Sequence, residues 1–245
     1  MQTTLLLVHG AWQGEWAWQL VVKEFSKTQF NVVTFDLPGS GADHTPLSEV
    51  TLERYAQAII DKASQIKDIE PSGKLVLVGH SMGGAAITAA ATKAPELFDK
   101  LIYLCAFLPQ PGQSVAELAQ ESKHCGTVGP VTLFDANLGT LTLVPESIRA
   151  TFFNDSNGEN ELEWERLFRP QAVSPLATPL GHSPSFAALK KAYIVCHQDR
   201  AIDPKLQMKM AKEAEIEQIR HLDAGHEPFF SCTEELSLLL IKLTH

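Results

Sequence analysis

A chain of 245 residues with 44% apolar residues can bury a sizeable core, and one domain carrying an insertion accounts for this length. Its 20 basic and 29 acidic residues leave a formal charge of −9 with no basic run, which argues against nucleic acid or a membrane surface as partner and disfavours strongly anionic substrates. No apolar stretch is long enough to span a bilayer, and the N-terminus lacks a basic n-region, so a cytoplasmic protein is expected. The four cysteines, Cys105, Cys125, Cys196 and Cys232, are far apart and lack metal-ligand spacing. They read as free thiols in a reducing compartment, with Cys105 and Cys196 in apolar, core-like runs.

In chain order, residues 3–8 read as a buried strand ending in His9-Gly10-Ala11-Trp12. A helix is expected over about 15–27, with Trp16, Leu20 and Phe25 as apolar contacts. Residues 31–35 form a second strand, closed by a turn-rich loop at 36–41. Thr51 is placed to cap a helix running to about Lys67, and Glu53 suits its first turn. Residues 75–78 are wholly apolar, as expected of a strand buried on both faces. Gly79-His80-Ser81-Met82-Gly83 follows, and then an Ala-rich run over 85–91 that favours a closely packed helix. Residues 100–105 are a fourth strand.

The rhythm then changes. From about 109 to 189 the chain is rich in Pro and Gly, has few buried-strand runs, and carries Phe134, Phe152, Phe153, Trp164 and Phe168, with a helix expected over 159–168. So many large apolar residues exclude a disordered linker and indicate an inserted cap. Strand–helix alternation resumes with a strand at 192–196, a helix at 204–214, a strand at 216–222 and a helix at 233–243. The expected class is α/β: a six-stranded, mainly parallel sheet flanked by helices, formed by 1–108 and 190–245, with 109–189 as the cap. Loops at the C-terminal ends of such strands collect on one edge. His9, Ser81, Asp199 and His226 each follow a predicted strand and so converge there.

The stretch 79–83 is a G-x-S-x-G motif between a strand and a helix, the setting in which such a serine becomes an exposed nucleophile. Ser81, Asp199 and His226 follow in the order nucleophile, acid, base. A neutral imidazole at His226 can take the serine proton and return it to a leaving group. Asp199 lies nearer its strand tip than Asp203, which precedes Pro204 and reads as a helix N-cap, so Asp199 is assigned to orient the imidazole. Asp223 reads as a turn residue. The backbone N–H groups of Ala11 and Met82 are expected to hold an oxyanion, with Gly10 permitting the backbone that aims the first. His9 and His80 read as structural.

Together these residues resemble the α/β-hydrolase superfamily, and within it the plant methyl-ester esterases and hydroxynitrile lyases with their bacterial relatives. The resemblance is carried by LLLVHGAWQGEWAW (5–18), VVTFDLPGSG (32–41), LVGHSMGG (77–84), LIYLCAFLPQPGQSV (101–115), HQDRAIDP (197–204) and DAGHEPF (223–229). It implies an α/β-hydrolase fold and a Ser-His-Asp triad. The resemblance also bears on the chemistry. Where the lyases carry a threonine and a lysine, this chain has Gly10 and Glu227. A carboxylate beside the base would repel cyanide and cannot replace the lysine's charge.

The expected activity is therefore a carboxylesterase acting on small to medium, neutral, hydrophobic or aromatic esters through an acyl-enzyme. Cyanohydrin cleavage and a weakly catalytic ligand receptor are the alternatives. Trp12, Phe107 and cap aromatics such as Trp164 are expected around the substrate, with Gly10 and Glu227 beside it. No metal or cofactor is implied, the partner is a small-molecule ester, and a homodimer is left open.

Overall fold

Both faces of the central strands are apolar. Leu5, Leu7, Val76, Val78, Ile102 and Leu104 enter one core layer, and Leu6, Val8, Leu75, Leu77, Leu101 and Tyr103 enter the other. Successive side chains on a strand point to opposite faces, so a sheet of this kind must be covered on both sides. The computed structural model, which describes residues 2–127, 129–156 and 161–244, shows how that is done.

The first half of the core contains β1 (Thr3–Val8), α1 (Gln19–Phe25), β2 (Asn31–Thr34), α2 (Leu52–Ile69), β3 (Lys74–His80), α3 (Gly83–Lys93) and β4 (Lys100–Leu104). The inserted segment holds α4 (Val115–His124), β5 (Thr132–Asp135), β6 (Thr140–Leu143), α5 (Pro145–Phe152), α6 (Glu161–Glu165), β7 (Gln171–Ala172), α7 (Ser174–Ala177) and α8 (Pro184–Ala188). The core then closes with β8 (Lys191–Cys196), α9 (Pro204–Glu213), β9 (Gln218–Leu222), α10 (Pro228–Ser231) and α11 (Thr233–Leu243).

Six strands form one sheet in the order β2-β1-β3-β4-β8-β9, and every pairing in it is parallel. One face is covered by Ile59 of α2, the alanines of α3, and Leu206 and Met210 of α9. Val21 and Phe25 of α1 and Leu236 and Leu240 of α11 cover the other. Thr51 caps α2 as expected, its hydroxyl accepting the Arg54 N–H at 3.1 Å.

Strand order reverses between β1 and β3, which pair with Val8 opposite Gly79. That register sets the His9 loop beside the Ser81 turn at a topological switch point, where such sheets bind ligands. Cys196 pairs with Leu222, which brings the Asp199 loop beside the His226 loop.

Two expectations change. The segment read as having few buried-strand runs, and given no strands of its own, holds a three-stranded antiparallel sheet, β5-β6-β7. Its strands are two to four residues long and β5 is mostly exposed, so no apolar run marks them. The helix expected over 159–168 is the shorter α6; Glu159 and Asn160 lie outside the described residues. Among the described residues no helix is long and apolar enough to cross a membrane.

Candidate active site

β3 ends at His80 and α3 begins at Gly83, so only Ser81 and Met82 separate strand from helix. A Cβ on Gly83 would stand 2.7 Å from the His9 carbonyl oxygen, and one on Gly79 would stand 2.7 Å from that of Gly83. No side chain fits at either point, which is why the turn can be this tight. Ser81 itself has φ +54°, a conformation few non-glycine residues adopt. It is held there from both sides: its N–H donates to the Leu104 carbonyl at 3.3 Å, and its carbonyl accepts from Phe107 N–H at 3.0 Å and Gly84 N–H at 3.1 Å.

His226 and Asp199 meet across the sheet edge. The His226 Nδ1–H donates to Asp199 Oδ2 at 2.8 Å, with both residues buried. This bond places the ring's lone pair on Nε2. Asp199 is fixed by three further donors: the N–H groups of Ala201 and Ile202 on Oδ1 at 2.7 and 2.9 Å, and Gln207 Nε2 on Oδ2 at 2.8 Å. Gln207 is wholly buried on α9 and also accepts the Cys196 N–H at 3.0 Å. Sequence reasoning passed over Gln207, because a glutamine inside a helical run has no motif to mark it. Asp203 caps α9 through the Lys205 N–H at 2.8 Å and accepts from the Thr127 hydroxyl at 2.9 Å, apart from the histidine. Asp223 accepts from Gln198 Nε2 at 2.9 Å at the surface.

The two other histidines hold backbone. His9 Nε2 accepts the Leu37 N–H at 3.1 Å, so its proton sits on Nδ1 and is donated to the Gly10 carbonyl at 2.8 Å. His80 Nε2–H donates to the His226 carbonyl at 2.8 Å. Burial lowers the pKa of both rings, most strongly for His80, which also lies beside His226 and His9.

Ser81, His226, Ala11 and Met82 line one cavity of about 250 Å³, together with Trp12, Phe107, Phe152, Leu141, Leu176 and other mostly apolar residues. Among the described residues no direct hydrogen bond joins the Ser81 and His226 side chains, and neither the Ala11 nor the Met82 N–H has an internal acceptor. The Phe152 ring stands 5.6 Å from the His226 ring. Trp12 ties the inserted segment to this loop: its indole N–H donates to the Leu141 carbonyl at 2.9 Å, and its carbonyl accepts the Arg169 N–H at 2.9 Å.

Gly10, Trp164 and Glu227 are not placed in the cavity wall. Gly10 lies behind Ser81. Trp164 stacks on Phe230 at 3.8 Å within an aromatic cluster under the cap. Glu227 is buried and accepts from Gln13 Nε2 at 2.7 Å. The expectation that it lies beside the substrate changes with that placement, and burial, with Asp199 and Asp155 nearby, pushes its carboxyl well above the usual range.

His80, Cys105 and His226 bring ligand-type atoms within 4.8 Å of one another. Each imidazole keeps one free nitrogen, His226 Nε2 and His80 Nδ1, but the Cys105 thiol donates to the His226 carbonyl at 3.5 Å. Burial also pushes the Cys105 thiol up, so this set does not fit a cation. A larger recess, about 370 Å³, lies beside Lys100, Glu217 and Gln218 at the far end of the strands, and no nucleophile lines it.

Methylesterase 7 of Arabidopsis thaliana is 29% identical over 255 residues, covering 99% of this chain and 96% of its own length. The pheophorbidase of Raphanus sativus is 27% identical over 251 residues, covering 97% of this chain and 92% of its own. Among solved structures, polyneuridine aldehyde esterase shares the fold over the whole of both chains, with a TM-score of 0.87 at 20% identity. A pyrethroid hydrolase from Sphingobium faniae JZ-2 shares it over 99% of this chain and 97% of its own, with a TM-score of 0.84 at 24% identity. The pattern of the alpha/beta hydrolase family matches residues 5–237. That match runs through both the six-stranded core and the segment inserted into it, so the chain as a whole belongs to the alpha/beta hydrolase family.

Proposed function

We propose that the protein hydrolyses small to medium, neutral, apolar or aromatic carboxylic esters by two-step acyl transfer through Ser81. The observation that carries this reading is the buried Asp199–His226 pair opening, with Ser81, into one apolar cavity. At about 250 Å³ that cavity suits a compact substrate.

His226 Nε2 takes the Ser81 proton as the hydroxyl oxygen attacks the ester carbonyl carbon. The oxyanion is received by the N–H groups of Ala11 and Met82. Collapse expels the alcohol, which takes the proton from His226. Water, deprotonated by the same imidazole, then attacks the acyl-enzyme and releases the acid. Asp199 keeps the imidazole in the tautomer this cycle needs. The relatives named as methylesterases make methyl esters the first class to assay.

The test is turnover of p-nitrophenyl acetate and of a panel of methyl esters by the wild type and by Ser81→Ala. Loss of turnover in the variant, with ligand binding retained, is the expected result. Near wild-type rates in a clean Ser81→Ala preparation would overturn the proposal, as would tight ligand binding by the wild type with no turnover of any ester.

A further inference from the structure

The backbone loop that carries the Ala11 amide and the loop that carries His226 are joined by two side chains 214 residues apart. Gly10 N–H donates to Gln13 Oε1 at 2.9 Å, and Gln13 Nε2–H donates to Glu227 Oε1 at 2.7 Å. Gln13 and Glu227 are each 1% exposed. Neither touches the cavity, and the acyl-transfer cycle uses neither directly.

A buried carboxyl costs free energy that an apolar side chain of similar size would not. Glu227 also leaves its second oxygen, Oε2, buried without a partner among the described residues. Packing alone therefore does not account for a glutamate here. Its one bond does: it fixes the glutamine amide, and the other end of that amide holds the Gly10 N–H next to Ala11. On the other side of His226, the Gly225 N–H donates to Asp155 Oδ2 of the cap, so the histidine loop is gripped at both neighbours.

We propose that Gln13 and Glu227 are positioning residues, a side-chain clamp that fixes the loop carrying the Ala11 amide against the loop carrying His226. This rests on the ester-hydrolase reading of the same site. The titratable groups around Glu227 are Asp199 after β8, Asp155 after α5, and the thiols of Cys105 and Cys196, with His226 adjacent in sequence. A neutral carboxyl can sit among these groups.

The experiment measures kcat and KM for p-nitrophenyl acetate in the wild type, Gln13→Leu, Glu227→Leu, the double variant and Glu227→Gln. A misplaced oxyanion donor costs about 10- to 100-fold in kcat, which is expected of each leucine variant with KM held within about threefold. The double variant is expected to fall no further than either single, because the two residues act as one unit. Glu227→Gln keeps an acceptor for Gln13 without the charge. It is expected to restore kcat to within about threefold of the wild type. Circular dichroism and thermal melts report the folded fraction. Leucine variants with undiminished kcat would overturn the clamp, as would activity lost only in step with folded protein, or a Glu227→Gln variant as impaired as Glu227→Leu. Ser81→Ala separates the two levels. If it retains turnover, the ester-hydrolase reading fails; if it is inactive while the leucine variants are fully active, the clamp alone fails.

Discussion

A Cβ on Gly10 would stand 2.9 Å from the Cβ of Ser81. It would also lie 3.0 Å from Gln13 Oε1 and 3.0 Å from His80 Nδ1, so three neighbours close the space behind Ser81. Gly10→Ala must displace the Ser81 turn or the loop of Ala11. A displacement of that kind is expected to cost about 10- to 100-fold in kcat. Gly10→Thr, the residue type the resemblance associates with cyanohydrin chemistry, is expected to lose ester hydrolysis further without gaining mandelonitrile cleavage. Steady-state assays of both reactions check this.

Asp199 offers a second test. Asp199→Asn places an amide opposite His226 Nδ1 and selects the wrong tautomer, with an expected loss of about 10³- to 10⁴-fold in kcat. Gln207→Leu removes one of four donors from the carboxylate and leaves the Cys196 N–H without its acceptor. A buried donor left unpaired costs about 1–3 kcal/mol, so the variant should lose stability as well as roughly tenfold in kcat. Denaturant melts beside kinetics measure the two effects.

Two cap aromatics should respond differently. Trp164 packs on Phe230 and lies outside the cavity wall. Trp164→Ala is expected to destabilise the protein by about 2 kcal/mol while KM for small esters stays within about threefold. Phe152 is buried, lines the cavity and contacts both His226 and Trp12. Phe152→Ala should raise KM, lower kcat and lower the melting temperature together. Kinetics and thermal melts on the pair decide it.

The pH dependence of folding has a sign that can be worked out. His9 and His80 are buried with lowered pKa values, so below the ordinary value of 6.5 the unfolded chain binds protons that the folded one does not. Their contribution is present above 6.5 and is lost as the pH falls through their folded values, at up to about 1.4 kcal/mol per pH unit for each proton. Glu227 has a raised pKa and acts oppositely: its contribution is full below its ordinary value of 4.5 and is lost as the pH rises toward the folded one. Between pH 4.5 and 6.5 the two histidines and Glu227 act in opposite directions, so stability should rise with pH more steeply in Glu227→Gln than in the wild type. The loss of stability through Glu227 as the pH rises above 4.5 should be absent from Glu227→Gln. Urea titrations across this range test both limbs.

Much of this was legible in the residues because it depends on local chemistry. An apolar run such as 75–78 must be buried wherever it goes, and glycines around Ser81 announce a turn that side chains would block. The order Ser81, Asp199, His226, each just past a strand, assembles on one edge once the strands are parallel. Asp199 and Asp203 separated by the same logic, because a residue before proline at a helix start is a cap. The cap strands were not legible, since short, exposed strands carry neither an apolar run nor a clear alternation.

Ser81, Asp199 and His226 were therefore identifiable as a constellation from the sequence by itself, together with the six strands that carry them. Tertiary structure alone decided the burial of Glu227, the bonding of Gln13 and Gln207, and the division of the aromatics of the inserted segment between cavity wall and packing. These properties belong to environments, not to residues. A glutamate is an anion in water and a neutral acid where distant segments exclude water from it, and a glutamine becomes a clamp only when the groups it joins arrive from opposite ends of the chain.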